Sequence, residues 1–195
     1  MEKSPKGKRR TKRGGKGSAK KFRELLLYIA ARSQGDPRFG ATKLNKILFY
    51  ADFWAYKKLG ESITGQRYQR LNQGPAPKGL LPATRKMEDA GDCAWAKRDH
   101  FGLPQKRLVA LREPDLSMFS GDQISIVDAV LRELEPLNAS EVSELSHRFL
   151  GWQLARDREE IPYSTVFLGE PRPPTPEEVE YGRELAGRLP AMDRG

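Results

Sequence analysis

The chain is poor in the residues that build metal centres and disulfides. Its 195 residues include one cysteine and two histidines. Cys93 has no second cysteine with which to form an internal disulfide, and His100 and His147 are too few to complete a Cys/His zinc site with it. We therefore expect no metal and no cofactor. Because free thiols belong to reducing compartments, we expect a cytoplasmic protein.

Long apolar runs are missing as well. No stretch approaches the roughly 20 apolar residues that a membrane-spanning helix requires. The run "LLLYIAA" follows a basic segment, as in a secretory signal, but that segment is long, and Arg23 and Glu24 interrupt the approach to the run. The sequence therefore predicts a soluble protein without a membrane partner.

The sequence also lacks catalytic motifs. A serine or cysteine nucleophile needs a histidine that a carboxylate orients, and neither histidine stands in such a motif. The segment "GQRYQRLNQGPAPKG" fits neither of the glycine patterns that bind phosphate. Cys93 is more typical of a buried residue, and His147 of a structural residue at a helix end. We expect a protein that is not an enzyme.

The formal charge of +9 is concentrated at the start of the chain. Residues 1–21 contain ten of the 35 basic residues and one of the 26 acidic residues, so the remainder is formally neutral. This segment is too polar and glycine-rich to bury a core, which predicts a disordered basic tail. It is either a solvating arm or a weak, salt-dependent nucleic-acid contact. The candidate phosphate-contacting residues are Lys8, Arg9, Arg10, Lys12 and Arg13.

Residues 22–170 show the periodicity of one domain. Phe22, Leu25, Leu26 and Ile29 mark one face of a first helix, which should end near Ser33. The second helix is predicted to begin at Thr42 as its N-cap and to end before Gly60. Aromatic residues widen its apolar stripe over most of its circumference, so we expect it to be the central helix.

Weaker signals follow the second helix. Glycine and proline make residues 61–79 an irregular connection, and a third helix covers about 79–90. "DCAWAK" and "KRLVALR" predict two short strands, and capping-box pairs open two further helices at Ser120 and Asn138. Phe167 is expected to pack back on the domain. Residues 171–195 form a proline-rich spacer and a short helix that Thr175 caps.

Together these patterns predict a mainly α fold. We expect a compact helical domain of about five to six helices with one small two-stranded antiparallel β-ribbon.

Three segments of the chain resemble the Panacea domain family of SocA-like antitoxins. They are "TKLNKILFYADFWAYKKLGESITG", "YQRLNQGPAPKGLLP" and "VSELSHRFLGWQLARDREEIPYSTVF". The resemblance covers roughly residues 20 to 170, in the family's order and spacing, and leaves out the basic tail and the terminal helix. The family pattern carries over, mostly in expected structural roles, to Lys43, Leu44, Lys46, Leu48, Tyr50, Gly74, Pro75, His147 and Trp152.

The resemblance implies a helical antitoxin of a bacterial toxin–antitoxin pair, often in a phage or mobile element. Such a protein neutralises its cognate toxin, whose gene we expect next to its own, by direct contact. Two alternatives stay open: an adaptor that delivers a bound partner to a protease, and a nucleic-acid-binding regulator that acts through residues 1–21. Stable interfaces depend on aromatic and arginine anchors. The candidate anchors are Trp54, Tyr56, Arg67, Tyr68 and Arg70, with core packing as the alternative role for Trp54 and Tyr56.

Overall fold

The computed structural model describes residues 16–100, 103–169 and 174–188. Its helices are α1 (Lys16–Arg32), α2 (Ala41–Leu59), α3 (Leu80–Asp89), α4 (Gly121–Leu134), α5 (Ala139–His147), α6 (Leu150–Leu154) and α7 (Pro176–Arg188). Its strands are β1 (Tyr68–Leu71), β2 (Gly74–Pro77), β3 (Cys93–His100), β4 (Leu103–Ala110) and β5 (Glu160–Ile161), and short 3-10 helices cover Leu116–Met118 and Tyr163–Phe167. The mainly α class is confirmed: among the described residues, α1 to α6 form the helical domain, in agreement with the predicted five to six helices, and α7 is the separate C-terminal helix.

Helix α2 is the centre of the fold. Ten of its 19 residues are buried, and it contacts α4, α5, β2, β4 and the 3-10 helix Tyr163–Phe167. Phe49 and Phe53 pack with Tyr68 and Phe149 in an aromatic cluster whose ring centroids lie 4.3 to 5.7 Å apart. The prediction of a central helix is therefore confirmed.

Only the C-terminal end of α2 agrees with the prediction. Gly60 follows the helix with φ of 79°, the left-handed conformation expected there. At the other end the N-cap is Gly40, which offers no side chain, so the prediction of Thr42 as the cap was wrong. The Thr42 hydroxyl instead donates to Gln73 Oε1 at 3.3 Å, in the turn between β1 and β2.

The structure contains a three-stranded antiparallel sheet that the sequence analysis missed. Its strand order is β2-β1-β5, with Arg70 opposite Pro75 and Tyr68 opposite Ile161. The prediction of a single β-ribbon, and of an irregular connection over 61–79, was therefore wrong. Strand β2 has the sequence "GPAP", which has low strand propensity, but all four residues are buried. The strand order puts β2 at the sheet edge, where proline is tolerated, and contacts with α2 and α5 bury it.

The predicted β-ribbon is confirmed as the β3–β4 hairpin. Its strands pair antiparallel, from Cys93 opposite Ala110 to His100 opposite Leu103. Arg107 on β4 is buried, and its guanidinium donates to the carbonyl oxygens of Ser33, of Gln34 at 2.8 Å and of Asp36 at 2.7 Å. These bonds satisfy carbonyls in the turn that directly follows α1, so the hairpin is fastened to the connection between α1 and α2.

Local capping signals identify three helix starts correctly. Ser120 with Gln123 and Asn138 with Glu141 form capping boxes at α4 and α5. The Thr175 hydroxyl accepts from the Glu178 backbone N–H at 3.3 Å at the start of α7.

Helix α1 begins at Lys16, within the segment predicted to be a disordered tail. Contacts with distant residues account for the earlier start. Lys21 donates to Gln123 Oε1 at 2.7 Å, and Lys20 pairs with Asp115 at 3.0 Å. Residues 1–15 lie outside the described part of the chain.

Replacement of Gly74 by alanine is expected to destabilise the fold by about 3 kcal/mol, because it combines backbone strain with overpacking. Gly74 has φ of 96°, and a Cβ there would lie 2.8 Å from Lys46 Nζ and would clash with Ser146 Oγ. The control is Gly91→Ala, which has φ of 73° and no neighbouring atom within 4 Å, and should cost only about 1 kcal/mol. Urea denaturation measures both, and equal losses would contradict the packing role of Gly74.

Candidate functional site

Two of the predicted anchors lie near an exposed apolar surface. The Tyr56 ring stacks on the Tyr163 ring at a centroid distance of 5.4 Å and lies 6.0 Å from the Phe167 ring. Phe167 is 62% exposed rather than packed back on the domain, and its neighbour Leu168 is 48% exposed. Leu59, one helical turn beyond Tyr56, is 40% exposed. We call Tyr56, Leu59, Phe167 and Leu168 the aromatic face.

Arg67 lies at the rim of the aromatic face. The Tyr163 hydroxyl donates to the Gln66 carbonyl oxygen at 2.6 Å, which brings the segment before β1 next to the Tyr56 stack. The next side chain, Arg67, is 70% exposed and donates from Nε to Glu160 Oε2 at 2.5 Å. An exposed ion pair of this kind contributes little to stability and leaves both side chains available to a partner.

Trp54 lies on a different side of α2 from Tyr56. Two residues correspond to about 200° around a helix, so the two side chains point in nearly opposite directions. Trp54 is half-buried and, with Tyr50, lines a small, mainly apolar cleft of about 120 Å³ that Val130, Glu133, Leu134 and Leu145 complete. Trp54 and Tyr56 therefore do not form one surface.

Tyr68 is buried in the core and takes part in a polar network around Asp52. The Asp52 carboxyl is completely buried and accepts hydrogen bonds from the Thr64 backbone N–H at 2.8 Å and from the Thr64 hydroxyl. The Tyr68 hydroxyl lies 2.8 Å from both Asp52 Oδ2 and the Leu48 carbonyl oxygen. Tyr68 is thus not exposed to a partner in this structure.

Burial raises the pKa of the Asp52 carboxyl, although its hydrogen bonds partly oppose that shift. The Tyr68 hydroxyl has one proton, so it cannot donate to Leu48 and Asp52 together. A protonated Asp52 can donate to the Tyr68 oxygen while Tyr68 donates to Leu48. Both hydrogen bonds of the Tyr68 hydroxyl can therefore form when the Asp52 carboxyl is neutral. The sequence analysis overlooked Asp52, although a carboxylate between Ala51 and Phe53 on a buried helix face indicates a buried ionisable group.

Arg70, Trp152 and His147 form a stack beside the β1–β2 turn. The His147 ring lies parallel to the Trp152 ring at 4.1 Å, and the Arg70 guanidinium lies 4.3 Å from the centroid of that ring. Trp152 Nε1 donates to the Leu71 carbonyl oxygen at 3.1 Å. The stack therefore joins β1 to α5 and α6. Among the described residues, the buried side-chain atoms without a hydrogen-bond partner are Asn45 Oδ1, Arg70 Nε and His147 Nε2.

The two lysines of the family pattern on α2 are both buried but have different partners. Lys43 donates to Asp36 Oδ2 at 2.6 Å and to the Glu135 carbonyl oxygen at 2.8 Å. Lys46 donates to the Pro75 carbonyl oxygen at 3.2 Å, and burial lowers its pKa to about 7. Leu44 and Leu48, on the same helix, are fully buried.

The predicted phosphate-contacting residues of the tail cannot be compared with the structure. The tail residues Lys8, Arg9, Arg10, Lys12 and Arg13 lie outside the described part of the chain. Across residues 16–100, 103–169 and 174–188, no three His, Cys, Asp or Glu side chains are grouped as a metal site. No helix in those ranges has both the length and the apolar character needed to cross a bilayer.

Comparison with known proteins identifies the class to which this helical domain belongs. The family model described as "Antitoxin SocA-like, Panacea domain" matches residues 44–153, which run from the first turn of α2 to α6. The chain therefore belongs to the SocA-like Panacea domain family of antitoxin-like proteins, as the resemblance indicated. No curated protein matches the chain, and no solved structure does.

The substitution Asp52→Asn is expected to change the pH dependence of stability. Because the folded pKa is raised above the unfolded value of about 3.9, the wild-type carboxyl contributes stability at acid pH that is lost as pH rises through the folded pKa. The amide does not ionise, so the variant should gain on the wild type as pH rises from about 4 towards the raised folded pKa, by about 1.4 kcal/mol per pH unit. Urea denaturation across that range measures the difference.

The exposed residue Asp157 provides the matched control for that experiment. Its side chain is 62% exposed, so Asp157→Asn should leave the pH profile close to that of the wild type. A constant free-energy difference between Asp52→Asn and the wild type at every pH would contradict the neutral Asp52 carboxyl.

Proposed function

We propose that this protein is an antitoxin that neutralises one cognate toxin by direct binding through the aromatic face. Membership of the SocA-like antitoxin family carries the proposal. The exposed Phe167 ring beside Tyr56 supports the choice of surface, because contiguous exposed apolar side chains are typical of protein–protein interfaces. The toxin is expected to be the product of an adjacent gene.

The aromatic face is held rigid by the core beneath it. Tyr163 lies between Tyr56 and the buried ring of Phe53, at centroid distances of 5.4 and 4.7 Å. Its hydroxyl bond to Gln66 prevents rotation of the 3-10 helix away from the sheet. Binding through a preorganised surface avoids much of the entropy cost of ordering side chains. This arrangement therefore favours tight binding.

Charged groups complete the surface and indicate the chemistry of the partner. Arg67 lies at the rim, and Lys57, the residue after Tyr56, is exposed near the end of α2. Protein–protein interfaces commonly have an apolar centre, a polar rim and arginine anchors, and a stable one buries about 1,200–2,000 Å² in total. We infer a toxin surface that offers an apolar pocket flanked by acidic side chains.

We assign the remaining predicted anchors to structural roles. Tyr68 is in the Asp52 network, and Arg70 stacks on Trp152. The Trp54 ring lies against the cleft between α2, α4 and α5. Neutralisation is inferred to occur in the cytoplasm. It is inferred to need no reactive thiol, because Cys93 is buried and burial raises the pKa of its thiol to about 11.

Introduction of a charge at Phe167 is expected to abolish neutralisation. A Phe167→Glu variant should bind the toxin at least 30-fold more weakly, which corresponds to the loss of about 2 kcal/mol typical of a hot spot. Its melting temperature should match the wild type because the side chain is largely exposed. Growth of cells that co-express the variant with the adjacent gene product measures neutralisation, and calorimetry of the purified pair measures binding.

The matched control is Leu111→Glu, which introduces the same charge at a side chain that is 58% exposed, directly after β4 and away from the aromatic face. This variant should neutralise normally. Full neutralisation by Phe167→Glu would refute the aromatic face as the binding surface. If the wild-type chain itself fails to relieve the toxicity of the adjacent gene product, the antitoxin proposal is wrong.

A further inference from the structure

The distal half of the β3–β4 hairpin is exposed and basic. Lys97, Arg98 and Lys106 are exposed there, whereas Cys93 and Leu108, nearer the base of the hairpin, are buried. Lys97 is three residues from the end of β3, a distance of about 10 Å in an antiparallel strand. We call Lys97, Arg98 and Lys106 the basic ribbon.

Two of these cations lie directly opposite each other. Lys97 is the cross-strand neighbour of Lys106, so both side chains lie on the same face of the hairpin. Like charges at opposite positions of a sheet repel each other and destabilise it. Trp95 belongs to this face as well, because it precedes Lys97 by two residues. The Lys106 ammonium lies 4.8 Å from the centroid of the half-buried Trp95 ring, in a cation–π contact.

The opposite face of the hairpin also carries positive charge. Arg98 lies on that face, opposite Gln105, whose amide donates to the Pro37 carbonyl oxygen at 3.2 Å. This bond brings the exposed Arg38, the residue after Pro37, next to the same face. Arg107 is the buried cation of this face, and burial, followed by the charge of Arg98, lowers the pKa of its guanidinium.

The described part of the chain does not neutralise these charges. Among its residues, none forms a salt bridge with a member of the basic ribbon. Glu88 of α3 approaches the base of the hairpin, where its Oε1 accepts from the Trp95 backbone N–H at 3.4 Å. The sequence of residues 93–110 contains four Lys and Arg residues and one acidic residue, Asp99. A local arrangement that costs stability is expected where a function requires it, so the ribbon indicates an anionic partner.

Positive charge on both faces favours duplex DNA as that partner. The major groove of B-DNA is about 12 Å wide and about 8.5 Å deep, and it admits a two-stranded β-ribbon. A ribbon in the groove has a phosphate backbone on each side, whereas an acidic protein surface would contact one face. The length of about 10 Å from Lys97 to the end of β3 matches the depth of the groove. The major groove of duplex RNA is too narrow for such entry.

We propose that the basic ribbon binds duplex DNA by entering the major groove, with Lys97 and Lys106 on one phosphate backbone and Arg98 on the other. Because these contacts are to phosphates, binding is salt-dependent and has little sequence selectivity. The site goes beyond toxin neutralisation and does not rest on it. It is also separate from residues 1–15, which lie outside the described part of the chain.

The test is fluorescence anisotropy of the full chain with a labelled DNA duplex of about 20 base pairs and mixed sequence. Titrations at sodium chloride concentrations from about 50 to about 200 mM give the dissociation constant and its salt dependence. Each phosphate contact is expected to contribute about 0.9 to the slope of log K against log salt concentration. An RNA duplex of the same sequence should bind at least threefold more weakly.

Two matched double variants each remove two positive charges. Lys97→Gln with Lys106→Gln should raise the dissociation constant for DNA at least tenfold and reduce the salt slope by about 1.8. The control, Lys57→Gln with Lys58→Gln, makes the same change at exposed positions at the end of α2 away from the α1–α2 connection. It should change the dissociation constant less than twofold and leave the slope unchanged. Residues 1–15 are present in every variant, so their contribution to binding is common to all.

Arg98→Gln tests the second face and keeps the proposal testable if the lysine pair fails to fold. This variant should raise the dissociation constant at least threefold and reduce the slope by about 0.9. All three side chains of the basic ribbon are exposed, so the melting temperatures of the variants should stay close to that of the wild type.

Several results would overturn the proposal. These are the absence of salt-dependent DNA binding by the wild type, equal effects of the two double variants, or equal binding of the DNA and RNA duplexes. Displacement of the DNA by poly-L-glutamate at equal charge concentration would also overturn it, since the ribbon would then recognise an acidic protein. If the lysine pair does not fold, unchanged binding by Arg98→Gln has the same meaning. None of these results depends on the toxin, so this proposal and the antitoxin proposal can fail separately.

Discussion

The fold depends on a central helix whose buried surface carries three ionisable side chains, Lys43, Lys46 and Asp52. A buried charge or polar group is tolerated when other elements supply its partners. Asp36 before α2, Thr64 after it and Pro75 in β2 supply those partners. The connections around α2 are therefore positioned by specific polar contacts as well as by apolar packing. We infer that these contacts select one arrangement of the loops, where an entirely apolar helix would permit several.

The sequence prediction is right for features that depend on neighbouring residues and wrong for features that depend on residues far apart in the chain. Helices α4 and α5 begin where predicted because a capping box is a local signal within four residues. Strand β2 was missed because two of its four residues are prolines, whereas its pairing with β1 and its packing against α2 and α5 depend on the tertiary fold. The candidate site shows the same division. Tyr56 and Arg67 were named from residue type, whereas the exposure of Phe167 and the burial of Tyr68 depend on the three-dimensional packing.

Under the proposed function, the extent of the family match bears on how the domain would recognise one toxin. The match ends at residue 153, so it includes Tyr56 and Leu59 but excludes Phe167 and Leu168. Half of the aromatic face is thus built on the central helix, inside the matched region, and the other half on a segment outside it. Discrimination between partners requires residues that can vary without loss of the fold. Phe167 meets this condition because it is exposed and contributes no buried contact to the core, whereas Tyr56 is constrained by its stack on Tyr163. Under the proposed function, we infer that α2 supplies the part of the binding surface inside the matched region and that the 3-10 segment selects the toxin.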